Sequence, residues 1–218
     1  MFPCRRLYLF FSGVLVFSSC YAPRTAQQAE ARLYQNHTLQ EDTSTLYQLP
    51  FAPDTRHRMI QGYYSRHTHK HKAAIDFKMK VGTPVYASRS GKVISTKSDS
   101  DKGGFNKKYR PDANYVMIEH EDSTRASYRH LRFEGVTVTQ GQYIYAGQQI
   151  GYSGNTGYTV MPHLHFSVAR FIDGRWVSIP TRFQSSKAAG YLRPLYLYTS
   201  INKTPDLETP VDIHVLAN

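Results

Sequence analysis

The 218-residue chain holds only two cysteines, Cys4 and Cys20, a single tryptophan, and no apolar run approaching the ~20 residues that a membrane-spanning helix needs. Both cysteines fall in the first twenty residues. No disulfide can therefore staple the body of the protein, and no thiolate is available there for catalysis, which excludes a cysteine peptidase. Acid is scarce too: 16 Asp and Glu stand against 27 Lys and Arg, for a formal net charge of +11. A basic surface favours anionic partners such as envelope polymers or lipid headgroups. Nucleic acid would suit the same balance. However, no groove-reading helix motif and no sheet-aromatic motif is present, so that class is set aside. Helical periodicity is equally thin. From Ile75 to Phe183 short β-branched or aromatic runs alternate with Gly, Pro, Asn and Asp, which predicts a mostly β, antiparallel domain. About 130 residues suffice to bury a core without disulfides.

The one long apolar run, Leu7 to Phe17, follows Arg5 and Arg6 and has the length of a secretion signal, predicted at residues 1–19. Phe17-Ser18-Ser19-Cys20 is similar to a bacterial lipobox, with Phe in place of the usual Leu. Cleavage there would leave Cys20 as a lipidated first residue and anchor the protein to a membrane; the alternative is an ordinary signal peptide cut near Ala22. Tyr21, and not Asp, follows the cysteine, which in a two-membrane bacterium favours the outer membrane over retention elsewhere in the periplasm. Residues 20–50 are expected to be the lipidated N-terminus and a tether, 51–185 the folded domain, and 186–218 a C-terminal extension. In that extension PLYLYTS either adds an edge strand or drapes over the domain.

Histidine is what the chain has in quantity, ten in all. In MPHLHF, His163 and His165 stand two apart on a strand-like run, so both leave one face while Leu164 and Phe166 turn to a core. Such a pair alone is more often solvated than ligating. Upstream, HTHKHKAAIDF carries His67, His69 and His71 ahead of Asp76, a carboxylate between Ile75 and Phe77 that needs compensation if it is buried. Its bland alternative is a half-exposed strand position. His130, in RASYRHL, is expected on another strand, sharing a face with Tyr128. Together these residues suggest a zinc hydrolase, since catalytic zinc takes about three protein ligands and keeps a position for water. The glycines at 82, 91, 141, 147 and 151 are expected at turns with positive φ. The polar stretch Asp99 to Ala113 reads as a surface loop beside a cleft.

The blocks GTPVYASRSGKVI, ANYVMIEHEDSTRASYRHL and VTQGQYIYAGQQIGYSGNTGYTVMPHLHF, in that order, resemble the lysostaphin-type (LytM-like) zinc metallopeptidases that cut peptide bonds in bacterial peptidoglycan. The likeness covers roughly residues 60–183. It implies an open, barrel-like antiparallel β-sheet with long loops, and Zn2+ as cofactor. The implied ligands are a histidine before Asp76, Asp76 itself and His165, with His130 and His163 beside the metal as general base and electrostatic stabiliser in either order. Many members place the first ligand four residues before the aspartate, where this chain has Lys72. A subset with the form His-Lys-x-x-x-Ala-Ile-Asp puts the ligand at His69, with His71 as rival and His67 and His57 as loop residues. Two imidazoles and one carboxylate leave a site charge of about +1, suited to acidifying water. Two other functions stay open: a catalytically silent activator of other wall hydrolases, and a metal-capture module built on the His-rich loop.

Overall fold

Alternating burial along the strands drives the architecture, which the computed structural model describes for residues 25–35, 45–186 and 189–201. The predicted secretion signal and Cys20 lie outside the described residues. A helix α1 (Ala26–Gln35) precedes fifteen strands. These are β1 (Tyr47–Gln48), β2 (Arg56–Gln61), β3 (Ala74–Lys78), β4 (Pro84–Tyr86), β5 (Gly91–Lys97), β6 (Gly103–Gly104) and β7 (Asn114–Glu119). There follow β8 (Arg125–Val136), β9 (Tyr143–Ile144), β10 (Gln149–Ser153), β11 (Gly157–Tyr158), β12 (His163–Ile172), β13 (Arg175–Ile179), β14 (Phe183–Gln184) and β15 (Leu197–Thr199). A 3-10 turn at Lys107–Asp112 lies between β6 and β7.

The main sheet is antiparallel and runs β15-β2-β3-β12-β8-β7-β5-β9, with β13 on β12 and β10 bridging β8 to β4. At its centre, β12 pairs with β3 on one side and β8 on the other, which sets Asp76 and Arg129 directly across from His165. One face of these strands is core: Ile75, Phe77, Val116, Ile118, Tyr128, Leu164, Phe166 and Val168 are fully buried. They pack with Leu49, Phe51, Met59 and Phe183, and edge-on aromatic pairs such as Tyr128 with Phe166, 5.1 Å between centroids, tie the strands together. Burying one such large apolar side chain contributes roughly 1.5–3 kcal/mol before entropy is counted.

Two local features differ from expectation, and a third decides between two alternatives. The tether contains helix α1, because AQQAEARLYQ is composed mostly of good helix formers and Thr25 caps it, its Oγ1 accepting from Gln28 N at 3.1 Å. Ala31 of the helix is buried, and Gln28 Nε2 donates to Tyr64 O at 2.8 Å. The PLYLYTS segment supplies β15, the edge strand on β2. Gly82, Gly141 and Gly147 do adopt positive φ, but Gly91 and Gly151 are strand residues without it. A Cβ on Gly91 would overlap the carbonyl of Glu119, and one on Gly151 would stand 2.5 Å from that of Gly135. These two are small because a neighbouring backbone comes close.

Candidate metal centre

Three side chains meet on the face of the sheet opposite the core. Asp76 and His165 are cross-strand partners on β3 and β12, with His165 Nδ1 2.8 Å from Asp76 Oδ1. His69 comes from the loop between β2 and β3 and is buried beneath it; its Nε2 lies 3.3 Å from Asp76 Oδ1 and 3.2 Å from His165 Nδ1. The three donor atoms thus form a nearly regular triangle. Zinc bonded tetrahedrally at about 2.0–2.1 Å spaces its donors by roughly 3.3 Å, so the set has the dimensions of a zinc face.

The proton positions point the same way. His69 Nδ1 stands 3.1 Å from the Gly62 carbonyl, which can only accept, so Nδ1 carries the hydrogen and Nε2 presents a lone pair. That lone pair faces a carboxylate oxygen. Two electron pairs opposed at hydrogen-bond distance in a buried site call for a cation between them. Burial by itself would raise the Asp76 pKa, but the close imidazoles of His165 and His69 outweigh it and hold the carboxyl far below its usual range. Burial also lowers the His165 pKa, against the pull of Asp76. An ionised carboxylate and neutral imidazoles are the protonation states that ligation requires.

Two further histidines rim the triangle. His163 Nε2 lies 3.8 Å from Asp76 Oδ1, while its Nδ1 donates to the Met161 carbonyl at 2.7 Å. His130 Nδ1 donates to the Thr156 carbonyl at 2.7 Å, and the two rings are 4.6 Å apart. Burial first, then the fields of His163 and His165, push the His130 pKa down to about 3. The expected shared face of Tyr128 and His130 is not found. Tyr128 points into the core, its hydroxyl accepting from Ser88 N at 2.7 Å. His130 is the extra residue of a bulge: Asn114 pairs with Leu131 and Tyr115 with Arg129, leaving His130 unopposed at φ 66°. The bulge turns it back onto the cleft face beside Arg129.

The remaining candidates separate cleanly. His67, His71 and Lys72 are exposed, so of the histidines in HTHKHK only His69 reaches the carboxylate. His57 lies on β2, not in a loop, packed edge-on to Phe51 at 4.7 Å with Nδ1 3.1 Å from Lys78 O. The Asp99 to Ala113 segment carries β6 and the 3-10 turn; β6 pairs with β11, so this loop lies against the Gly157–Tyr158 loop, next to Thr156, whose carbonyl holds His130. Sequence reading did not single out Arg129, although its place opposite His165 follows once the β8–β12 register is known.

Several known proteins are similar to this chain in sequence. The peptidoglycan DD-endopeptidase ShyA of Vibrio cholerae is 40% identical over 93 residues, 43% of this chain and 19% of that protein. Lysostaphin of Staphylococcus simulans is 44% identical over 92 residues, 42% of this chain and 17% of that protein. The chain thus spans about a fifth or less of the length of these relatives. Among solved structures, the catalytic domain of lysostaphin superposes with a TM-score of 0.41 at 31% identity, covering 57% of this chain and 87% of that one. A zinc-containing peptidase from Vibrio cholerae gives 0.43 at 28%, covering 60% and 39%. The profile of Peptidase family M23 matches residues 69–178, just over half of the chain, with the whole donor triangle inside the match, and the chain belongs to that family.

Proposed function

We propose that the protein is a zinc-dependent endopeptidase that hydrolyses peptide cross-links of bacterial peptidoglycan. The observation that carries this reading is the triangle of His69 Nε2, Asp76 Oδ1 and His165 Nδ1, with sides of 2.8 to 3.3 Å and a lone pair aimed at a carboxylate. These three residues would hold the metal. Zinc supplies Lewis acidity, which acidifies water and polarises a scissile carbonyl.

His130 and His163 supply the proton chemistry. Each commits Nδ1–H to a backbone carbonyl, so each turns an Nε2 lone pair toward the cleft. One imidazole takes the proton of the attacking water; once protonated, it can pass that proton to the amine leaving group. The other, as an imidazolium with Nε2 protonated as well so that it can donate, would stabilise the oxyanion that develops on the carbonyl. Two peptidoglycan DD-endopeptidases among the relatives support the substrate class. The complete donor set argues against a silent activator, and the exposed His67 and His71 argue against capture by the His-rich loop. Export and a lipid at Cys20 would hold the enzyme in the envelope, where this substrate lies.

The test is incubation of the purified, zinc-loaded chain with cross-linked peptidoglycan, followed by mass spectrometry of the released fragments. Loss of cross-linked dimers that a chelator stops and zinc restores is the expected result. Intact cross-links in the presence of folded, metal-loaded protein would overturn the reading.

A further inference from the structure

The cleft face of β8 carries two arginines four residues apart, and they are treated differently. Arg125 Nε donates to Glu119 Oε2 at 2.7 Å, and its guanidinium lies 3.9 Å from the Trp176 ring centre. Arg129, directly across from His165, is half-buried and has no such partner. Its contacts are Ser127 Oγ, 3.1 Å from Nε, and the ring of Tyr115, 4.9 Å from the guanidinium carbon. Among the described residues no carboxylate pairs with it.

Other cations gather at the same place. Lys72, exposed on the loop that carries His69, has its pKa lowered first by burial of part of its stem and then by the positive fields of Arg129 and Arg110. Arg110, on the 3-10 turn of the opposite cleft wall, lies over Tyr158 at 5.7 Å. Among the described residues neither Lys72 nor Arg110 is salt-bridged. The positive fields of Arg129 and Arg110 reach Lys72 with no ion pair to offset them, and Arg129 loses hydration as well. Such an arrangement is stabilised by an arriving anion, and a guanidinium is shaped to take a carboxylate through two parallel hydrogen bonds.

We infer that Arg129, with Lys72 and Arg110 beside it, is a carboxylate-binding subsite that selects peptide cross-links bearing a free carboxylate near the scissile bond. The inference rests on the proposed endopeptidase activity. It separates two substrate classes, since a bridge of glycines offers no side-chain carboxylate to this subsite and an acidic stem peptide does.

The experiment uses the zinc-loaded full chain and a synthetic cross-linked peptide in three forms. One has free carboxylates, one has the residue beside the scissile bond amidated, and one has the chain terminus amidated. Cleavage gives kcat/KM. A parallel set, N-methylated at the scissile amide to block hydrolysis, gives Kd. The free form is expected to be favoured about 10- to 100-fold over one amidated form, and that form identifies which carboxylate Arg129 holds. In Arg129→Met the preference collapses to within about twofold of unity, Arg129→Lys retains part of it, and zinc stoichiometry is retained in both. Equal kcat/KM and equal Kd for all three peptides with the wild-type protein would overturn the inference while leaving the endopeptidase reading intact. An unchanged preference in Arg129→Met would overturn it too. No cleavage of any peptide, with the Kd preference present and dependent on Arg129, would sink the endopeptidase reading and leave the subsite standing. Should Arg129→Met fold poorly, Lys72→Met serves instead, with a smaller loss of preference expected.

Discussion

The two faces of the central strands solve opposite problems with the same backbone. On β12, Leu164, Phe166 and Val168 are fully buried among other apolar side chains, while His163 and His165, interleaved with them, face Asp76. The core face is held by area and packing, and its members could be exchanged for others of similar volume at modest cost. The cleft face is held by a few directed hydrogen bonds and collects charge that the core would reject. Specificity of placement resides on the second face, and most of the stability that supports it resides on the first.

The largest contrast between the faces should come from Asp76→Ala. Zinc binding worth ~10–16 kcal/mol, shared among about four donors, puts roughly 2.5–4 kcal/mol on each, so affinity by isothermal titration should fall about 10²- to 10³-fold. The metal-free variant should stay folded and melt only modestly below the metal-free wild type, since it loses the ionised carboxylate held by His165 and His69 but leaves the core face intact. A metal-free melting temperature that collapses would mean the two faces are not separable.

His120 sharpens the comparison, being a buried imidazole with no cation or ligand to serve. Its Nδ1 donates to Ser90 O at 2.8 Å, its Nε2 has no hydrogen-bond partner, and its ring packs against Tyr47 at 5.6 Å. Burial lowers its pKa below the free value of 6.5. As pH falls, the unfolded chain therefore takes up a proton before the folded one. The stabilisation from keeping this ring neutral is complete above about 6.5 and is lost as the pH drops below it. Between pH 7.5 and 5, wild type should lose up to about 2 kcal/mol more than His120→Phe in urea unfolding. Parallel losses would remove His120 from the acid limb.

The smallest effect belongs to the core alone. Ile118→Val, on the buried face of β7, should cost about 1 kcal/mol of stability and leave zinc affinity within about twofold. A larger change in affinity would show that packing there tunes the metal site.

The sequence disclosed what depends on period and lost what depends on register. The two-residue spacing of His163 and His165 was enough to put both on one face, because alternation is a property of the strand itself. The position of His130 was not legible in this way: strict alternation groups it with Tyr128, and only the bulge opposite Asn114 and Tyr115 turns it to the cleft. The choice of His69 over His71 depends on how a loop folds down, with Nδ1 anchored on Gly62, and no periodicity encodes that. Arg129 escaped notice because its meaning lies in the absence of a partner, which is a fact about space and not about order along the chain. Helix α1 was hidden by composition, its Ala and Gln serving a tether as readily as a helix.

Three of the four histidine rings, those of His69, His130 and His163, are anchored on peptide carbonyls, those of Gly62, Thr156 and Met161. The side chains at these positions do not hold the rings, but two of these residues fix the backbone that does: a Cβ on Gly62 would stand 2.7 Å from Pro194 Cγ, and the Thr156 hydroxyl donates to Leu131 O at 2.7 Å. The orientation of these three rings is thus set by chain path, and an insertion or deletion in the loops before β3 and β12 would disturb it most. Diversification of this cleft can therefore proceed through its walls and floor, residue by residue, without disturbing the direction in which its imidazoles point.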